Sequence, residues 1–288
     1  MSQRVKLQAI VLHQGRYILE LPNGTKAFVK ASSSTQRRHI DGLRAALQRE
    51  KICLRVLRGL AVPRLISLPT KSLPAYCRTP GMSYIAQSWE GEKIDHVPLT
   101  PLEALGAWLF LVEQLTAFRR HRILYTDVKC ANVLVQRHPL RVVVIDFGTA
   151  SPLEPGRFPL RQYGFTRGFE APECRAGKVP TERSLVYPLG ILLPHVLVGT
   201  TTVSIKSAHS GLDAASRILR RIGAADAADV VCACLADDPR RRPPNYEAVL
   251  KRLRSCVLPA GTTSVWRHLR DPYRRRLAKL GLGDNGGD

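Results

Sequence analysis

Alternating apolar and polar positions open the chain. Val5 to Leu12 and Tyr17 to Leu21 read as strands separated by His13-Gln14-Gly15-Arg16, and Asn23-Gly24 marks a tight hairpin into a third strand over Thr25–Ala31. The period then lengthens. From about Arg38 to Arg58, Leu43, Leu47, Cys53, Leu54 and Leu57 recur near helical spacing, which predicts one long helix. Pro63–Leu68 and Met82–Ser88 read as further strands, with the polar, proline-punctuated Pro69–Pro80 between them as a surface loop. Thr100-Pro101-Leu102-Glu103 combines an N-cap, a first-turn proline and an acid at the third helical position. A helix is expected from there to about His121, with Leu105, Leu109, Val112 and Leu115 on its apolar face. Val133–Val135 and Arg141–Ile145 are short, strand-like apolar runs.

Composition narrows the class. With 288 residues and 44% hydrophobic content the chain can bury a proper core. Lys and Arg number 44 against 23 Asp and Glu, a formal charge of +21 that favours acidic or phosphate-bearing partners; nucleic acid is one such partner the basic surface could hold. Seven cysteines without a C-x-x-C pair suggest neither a disulfide framework nor a zinc site, and fit a reducing compartment. The first residues, MSQRVKLQAIVL, lack a signal-peptide pattern, and the longest apolar run, Leu185 to Val198, is interrupted by Pro188, Pro194 and His195. No membrane span is expected, and an intracellular location, cytoplasm or nucleus, is.

The chemistry concentrates between Ile123 and Gly148. Asp127 is followed by Lys129 and Asn132, and Asp146-Phe147-Gly148 comes nineteen residues after Asp127, directly behind a strand-like VVVI. Carboxylate and amide oxygens suit a hard cation, and phosphoryl transfer needs its charge neutralised and its groups aligned. A single Asp in a loop is ordinarily a turn former or a cap; the joint spacing is the signal.

That order resembles the eukaryotic-type Ser/Thr protein kinases, whose pattern is H-R-D-L-x-x-x-N followed by D-F-G. The resemblance implies an α+β, bilobal protein-kinase-like fold: a small β-rich N-lobe with one long helix over residues 1–88, a larger, mostly helical C-lobe over 89–258, and a basic, partly flexible tail over 259–288. It implies Asp127 as catalytic base, Lys129 on the transferred phosphate, and Asn132 and Asp146 as ligands of Mg2+ bound with ATP. Lys26-Ala27-Phe28-Val29-Lys30 resembles V-A-I-K, so Lys30 would hold the ATP phosphates and Glu50, twenty residues on, would orient it. Tyr84 to Gly91 resembles the hinge that contacts adenine, which brings in Gln87 and Ser88. Gly164 to Glu173 is similar to the stretch ending in A-P-E, with Thr166 fixing Asp127 and Lys129, and the segment Thr149–Phe169 before it reads as a mobile activation segment. In Asp238-Pro239-Arg240-Arg241-Arg242-Pro243, Arg242 would form a structural bridge to Glu173.

Several positions depart from the family. The glycine-rich loop over the phosphates is reduced to Gly15. Leu185 replaces the aspartate that anchors the catalytic loop from the buried central helix, Thr126 replaces the arginine before the catalytic Asp, and Tyr125 replaces the histidine, its ring able to support Phe147. The resemblance therefore implies a Ser/Thr protein kinase acting on protein substrates and independent of activation-loop phosphorylation. The alternative is a pseudokinase serving as a scaffold or allosteric binding partner; a small-molecule phosphotransferase is a third reading. The compact, arginine-rich chain also resembles divergent virus-encoded kinases, herpesvirus ones among them.

Overall fold

The computed structural model describes residues 9–279 apart from 14–15, 22–23, 25, 33–36, 69–82, 89–90, 153–165 and 200–204. The expected strand start at Val5, the Pro69–Pro80 loop, most of the activation segment and the last residues of the tail lie outside these. The chain forms two compact units. One comprises Met1–Arg58, Val62–Glu90 and Asp146–Ala150; the other comprises Gly59–Ala61, Gly91–Ile145 and Ser151–Asp288.

The first unit is a four-stranded antiparallel sheet with one helix. β1 (Ala9–His13), β2 (Arg16–Glu20), β3 (Lys26–Ala31) and β4 (Tyr84–Ser88) lie in that order. Tyr17 pairs with Val29 and Leu19 with Ala27, so these residues share a face with Ala31, Ala86 and Leu68 in one apolar cluster. Strand side chains alternate, which puts Phe28 and Lys30 on the opposite face. There Lys30 meets the helix α1 (Arg37–Val56) through Glu50. Pro63–Leu68 is not a strand: only Leu65 bridges to Gln87, and Pro63 has no N–H to extend the ladder.

The second unit is mostly helical. α2 (Pro101–Arg120) starts as its sequence predicts, with Thr100 Oγ1 accepting from Glu103 N at 3.3 Å and Glu103 Oε2 accepting from Thr100 N at 2.8 Å. Such a cap is worth about 1 kcal/mol. β5 (Glu92–Lys93), β7 (Val133–Arg137) and β8 (Leu140–Val144) form a small sheet, and β6 (Ile123–Leu124) pairs with β9 (Ser151–Pro152). After the one-turn α3 (Pro172–Arg175) come α4 (Glu182–Val198), α5 (Ile205–Arg221), α6 (Ala225–Cys234) and α7 (Tyr246–Arg254). α4 is buried from Ser184 to His195 despite its two prolines, and Trp108 of α2 donates its indole N–H to the Leu189 carbonyl at 3.0 Å.

Two expectations change here. α2 is buried all round from Ala104 to Val112, not along one stripe. The reason is the second change: Ala260–Lys279 is a helix, α8, packed on α2, and not a solvated tail. Thr262 and Leu269 are buried, Trp266 Nε1 donates to Glu113 at 2.9 Å, and the Tyr273 ring lies 5.3 Å from that of Phe110. Approach is close enough that a Cβ on Gly106 would lie 2.5 Å from Val265 Cγ1, so α2 needs a glycine there. The arginines of this segment hide a line of apolar and aromatic positions, 265, 266, 269 and 273, at helical spacing.

The six cysteines among the described residues are free thiols. Burial pushes Cys53 up to about 11 and Cys234 up to about 12, so neither is a ready nucleophile. Among the described residues no helix is long and apolar enough to cross a membrane.

Candidate active site

In the first unit, β3 and α1 bring three charges together. Lys30 Nζ lies 2.9 Å from both Glu50 oxygens and 2.9 Å from Asp146 Oδ1. Glu50 is 1% exposed and Lys30 8%. Burial pushes the Glu50 carboxyl above its ordinary value against the pull of Lys30; the Phe147 N–H also bonds to it. Asp146 has φ 63°, a left-handed backbone that Asp tolerates better than most side chains. Arg49 donates to the Gly148 carbonyl at 2.7 Å, so with the Phe147 N–H on Glu50 α1 grips the D-F-G turn at two points, and Ala150 N closes the turn on Phe147 O at 3.1 Å.

The two residues expected to contact adenine are placed less simply. Gln87 and Ser88 lie within β4, in register with Phe28 and Ala27. Ser88 spends its amide on Arg64 O at 2.8 Å and its hydroxyl oxygen on Arg64 N at 3.0 Å, so its N–H serves the fold and not a ligand. Gln87 is fully buried, and its side-chain amide has no hydrogen-bond partner among the described residues. Gly15, Trp89 and Glu90 lie outside the described residues.

In the second unit, the loop between β6 and β7 folds around Asp127, 8% exposed. Thr166 Oγ1 donates to Asp127 Oδ1 at 2.7 Å, and Lys129 Nζ donates to Asp127 Oδ2 and to Thr166 Oγ1, each at 2.6 Å. Asn132 Nδ2 donates to the Asp127 carbonyl and to Oδ2, each at 2.9 Å. Its amide nitrogen is thus committed, which leaves the amide oxygen as its hard donor. Thr166 reaches this network across 39 residues of chain, so the contact is tertiary and not a local turn.

Two tyrosines hold the loop. Tyr125 OH donates to Ile145 O at 2.7 Å, and Tyr246 OH, from the first turn of α7, donates to Tyr125 O at 2.9 Å. Leu185, where the family has an anchoring aspartate, is buried and apolar; Tyr246 supplies the hydrogen bond to the loop backbone instead. Sequence reasoning missed Tyr246, and only its place after the Asn245 cap marks it as helical. Below the loop, Arg242 NH1 and NH2 meet Glu173 Oε1 and Oε2 at 2.7 and 2.8 Å, and the Ser184 hydroxyl adds a bond at 2.7 Å. Burial works against the Glu173 charge, but the Arg242 and Ser184 bonds outweigh it and hold the carboxyl below its ordinary value.

Comparison with known proteins agrees with this geometry. The family model described as protein kinase domain matches residues 82–252. The serine/threonine-protein kinase PkaA of Streptomyces coelicolor is 32% identical over 108 residues, 35% of this chain and 19% of that protein. Homeodomain-interacting protein kinase 4 of Homo sapiens is 32% identical over 105 residues, 34% of this chain and 17% of its own length. The dual specificity protein kinase TTK of Mus musculus is 27% identical over 164 residues, 50% of this chain and 19% of its own. The matched stretch is under a fifth of the length of each of these curated relatives. The family match, by contrast, runs through more than half of this chain, taking in both the Asp127 network and the Glu173–Arg242 pair, and the chain belongs to the protein kinase domain family.

Proposed function

We propose that the chain is an ATP-dependent protein serine/threonine kinase. The observation that carries this is the closed hydrogen-bond network of Asp127, Lys129 and Thr166, a carboxylate held by an ammonium and a hydroxyl in the loop where the family keeps its base. In the reaction Asp127 takes the proton of an incoming Ser or Thr hydroxyl as its oxygen bonds the γ-phosphorus and the bond to the ADP oxygen breaks. Lys129 offsets the charge that gathers on the transferred group. Lys30 holds the ATP phosphates and Glu50 orients it. Asp146 and Asn132 offer the carboxylate and amide oxygens that suit Mg2+, and that ion supplies charge neutralisation of the phosphates when bound.

Regulation follows from Thr126. This buried position carries no cation for an activation-segment phosphate to neutralise, so activity is expected to survive phosphatase treatment.

The test is transfer of radiolabel from MgATP to a basic and an acidic generic protein, beside an Asp127→Asn variant. Label on Ser or Thr in the wild type, lower by about 10²-fold or more in the variant, supports the reading. No label from either protein would replace it with the pseudokinase reading, in which the same fold serves as a binding partner.

A further inference from the structure

Beneath the catalytic loop, three metal-binding side chains from three elements meet at one point. Asp95 comes from a short 3-10 turn, Ile94–His96; Cys130 from the turn Cys130–Asn132; His195 from the last part of α4. One ligand atom of each lies within 4.8 Å of the other two. Cys130 is 2% exposed and His195 5%. Two of the groups are left unsatisfied: neither His195 Nδ1 nor Asp95 Oδ1 has a hydrogen-bond partner among the described residues. The His96 imidazole Nε2 stands 4.0 Å from that Asp95 oxygen, too far for a hydrogen bond.

Leaving a buried donor or acceptor unpaired costs about 1–3 kcal/mol each, and here two such atoms converge on a thiol. One bound cation would satisfy all three. A sulfur, an imidazole nitrogen and a single carboxylate suit a borderline-soft ion and not Mg2+ or Ca2+, which take oxygen. Zinc bonds of about 2.0 Å to nitrogen and oxygen and about 2.3 Å to sulfur set tetrahedral ligand separations of about 3.3–3.5 Å. Binding would draw the three ligand atoms together from within 4.8 Å of one another to those separations.

We propose that Asp95, Cys130 and His195 form a zinc site that staples the catalytic loop to α4. Cys130 stands between Lys129 and Asn132, so an ion held there fixes the loop from below, on the same helix whose Leu185 cannot. Binding forms a zinc–sulfur bond and releases the thiol proton to solvent, with no change of oxidation state. Three protein ligands leave a fourth position for water.

The site is separate from the transfer reaction, and its test reads metal and not activity. The full chain, stripped with a chelator and dialysed, is titrated with Zn2+ and then with Co2+. One equivalent of zinc is expected, and the cobalt form should show a thiolate-to-metal charge-transfer band in the near ultraviolet. Cys130→Ser and His195→Ala should each weaken zinc binding at least tenfold, while Cys232→Ser, at an exposed cysteine, leaves it unchanged. The circular dichroism of every variant is compared with wild type, so that a misfolded variant is not counted. The cobalt band of the wild-type chain tests thiolate ligation without any substitution. Absence of that band, failure of the wild-type chain to take up zinc, or wild-type affinity in a folded Cys130→Ser variant would each overturn the proposal.

Discussion

At the level of single residues, Lys30 matters twice, as the proposed ligand of the ATP phosphates and as the counter-charge of a carboxyl group that is 1% exposed. Lys30→Met should therefore lower both phosphoryl transfer and stability, the latter by about 3 kcal/mol, since the buried Glu50 carboxyl loses its counter-charge. The double variant Lys30→Met/Glu50→Leu should recover most of the melting temperature and none of the transfer. A thermal melt beside the radiolabel assay separates the two roles; recovery of activity in the double variant would show that Lys30 acts only structurally. Glu173 gives a different signature. Its folded-state carboxyl lies below its unfolded value of 4.5, so its contribution is fully present above that value and is lost as pH falls through the lower folded value. In melts between about pH 3 and 6, wild type should lose stability more steeply toward acid than Glu173→Gln. The variant will be less stable near neutrality, because Arg242 is then buried without its partner. Parallel slopes would mean that the Glu173–Arg242 pair is not what acid breaks.

Among the elements, the catalytic loop is held by groups distant in sequence. Tyr246→Phe removes the hydroxyl that reaches the buried Tyr125 carbonyl 121 residues away, at a cost of about 1–3 kcal/mol. It should lower kcat more than the KM for ATP, because the loop it supports carries Asp127, and steady-state kinetics checks this. Phe is nearly isosteric, so unchanged kcat and melting temperature would mean that Leu185 is compensated elsewhere. This contact also shows where reading the chain reached its limit. The helix caps, the β2–β3 pairing and the spacing from Lys30 to Glu50 are set by neighbours within a few turns of chain, and alternation or a 3.6-residue period exposes them. Asp127, Asn132 and Asp146 stood out because their chemistry fixes their separations. Tyr246 has no such pattern, since its role exists only once α7 docks. Ser88 looked like a ligand-facing hinge residue, but its amide is turned to Arg64 by an irregular segment whose path no periodicity foretold. At α8 the charge of the arginines masks a four-position apolar and aromatic line, so composition alone points to a tail where the chain forms a helix.

For the molecule as a whole, α8 is the piece whose removal is most informative. Burial of Leu269 alone is worth about 2 kcal/mol, and Val265, Trp266 and Tyr273 add to it. A chain ending at residue 258 should melt at least about 10 °C lower or precipitate, since α2 would be stripped along that flank. An unchanged melt would return this segment to the status of a dispensable tail. The charge of +21, with Arg274, Arg275 and Arg276 exposed on α8, predicts that the logarithm of retention on a polyanion column falls linearly with the logarithm of salt concentration. Finally, the five residues Asp146–Ala150 belong by packing to the first unit although the chain on either side of them belongs to the second. In amide hydrogen exchange their clock is therefore set by α1. Phe147, bonded to Glu50, should exchange with the opening of that helix, while Val144, two residues before the turn and bonded to Ala61 O, keeps the slower time of the larger unit.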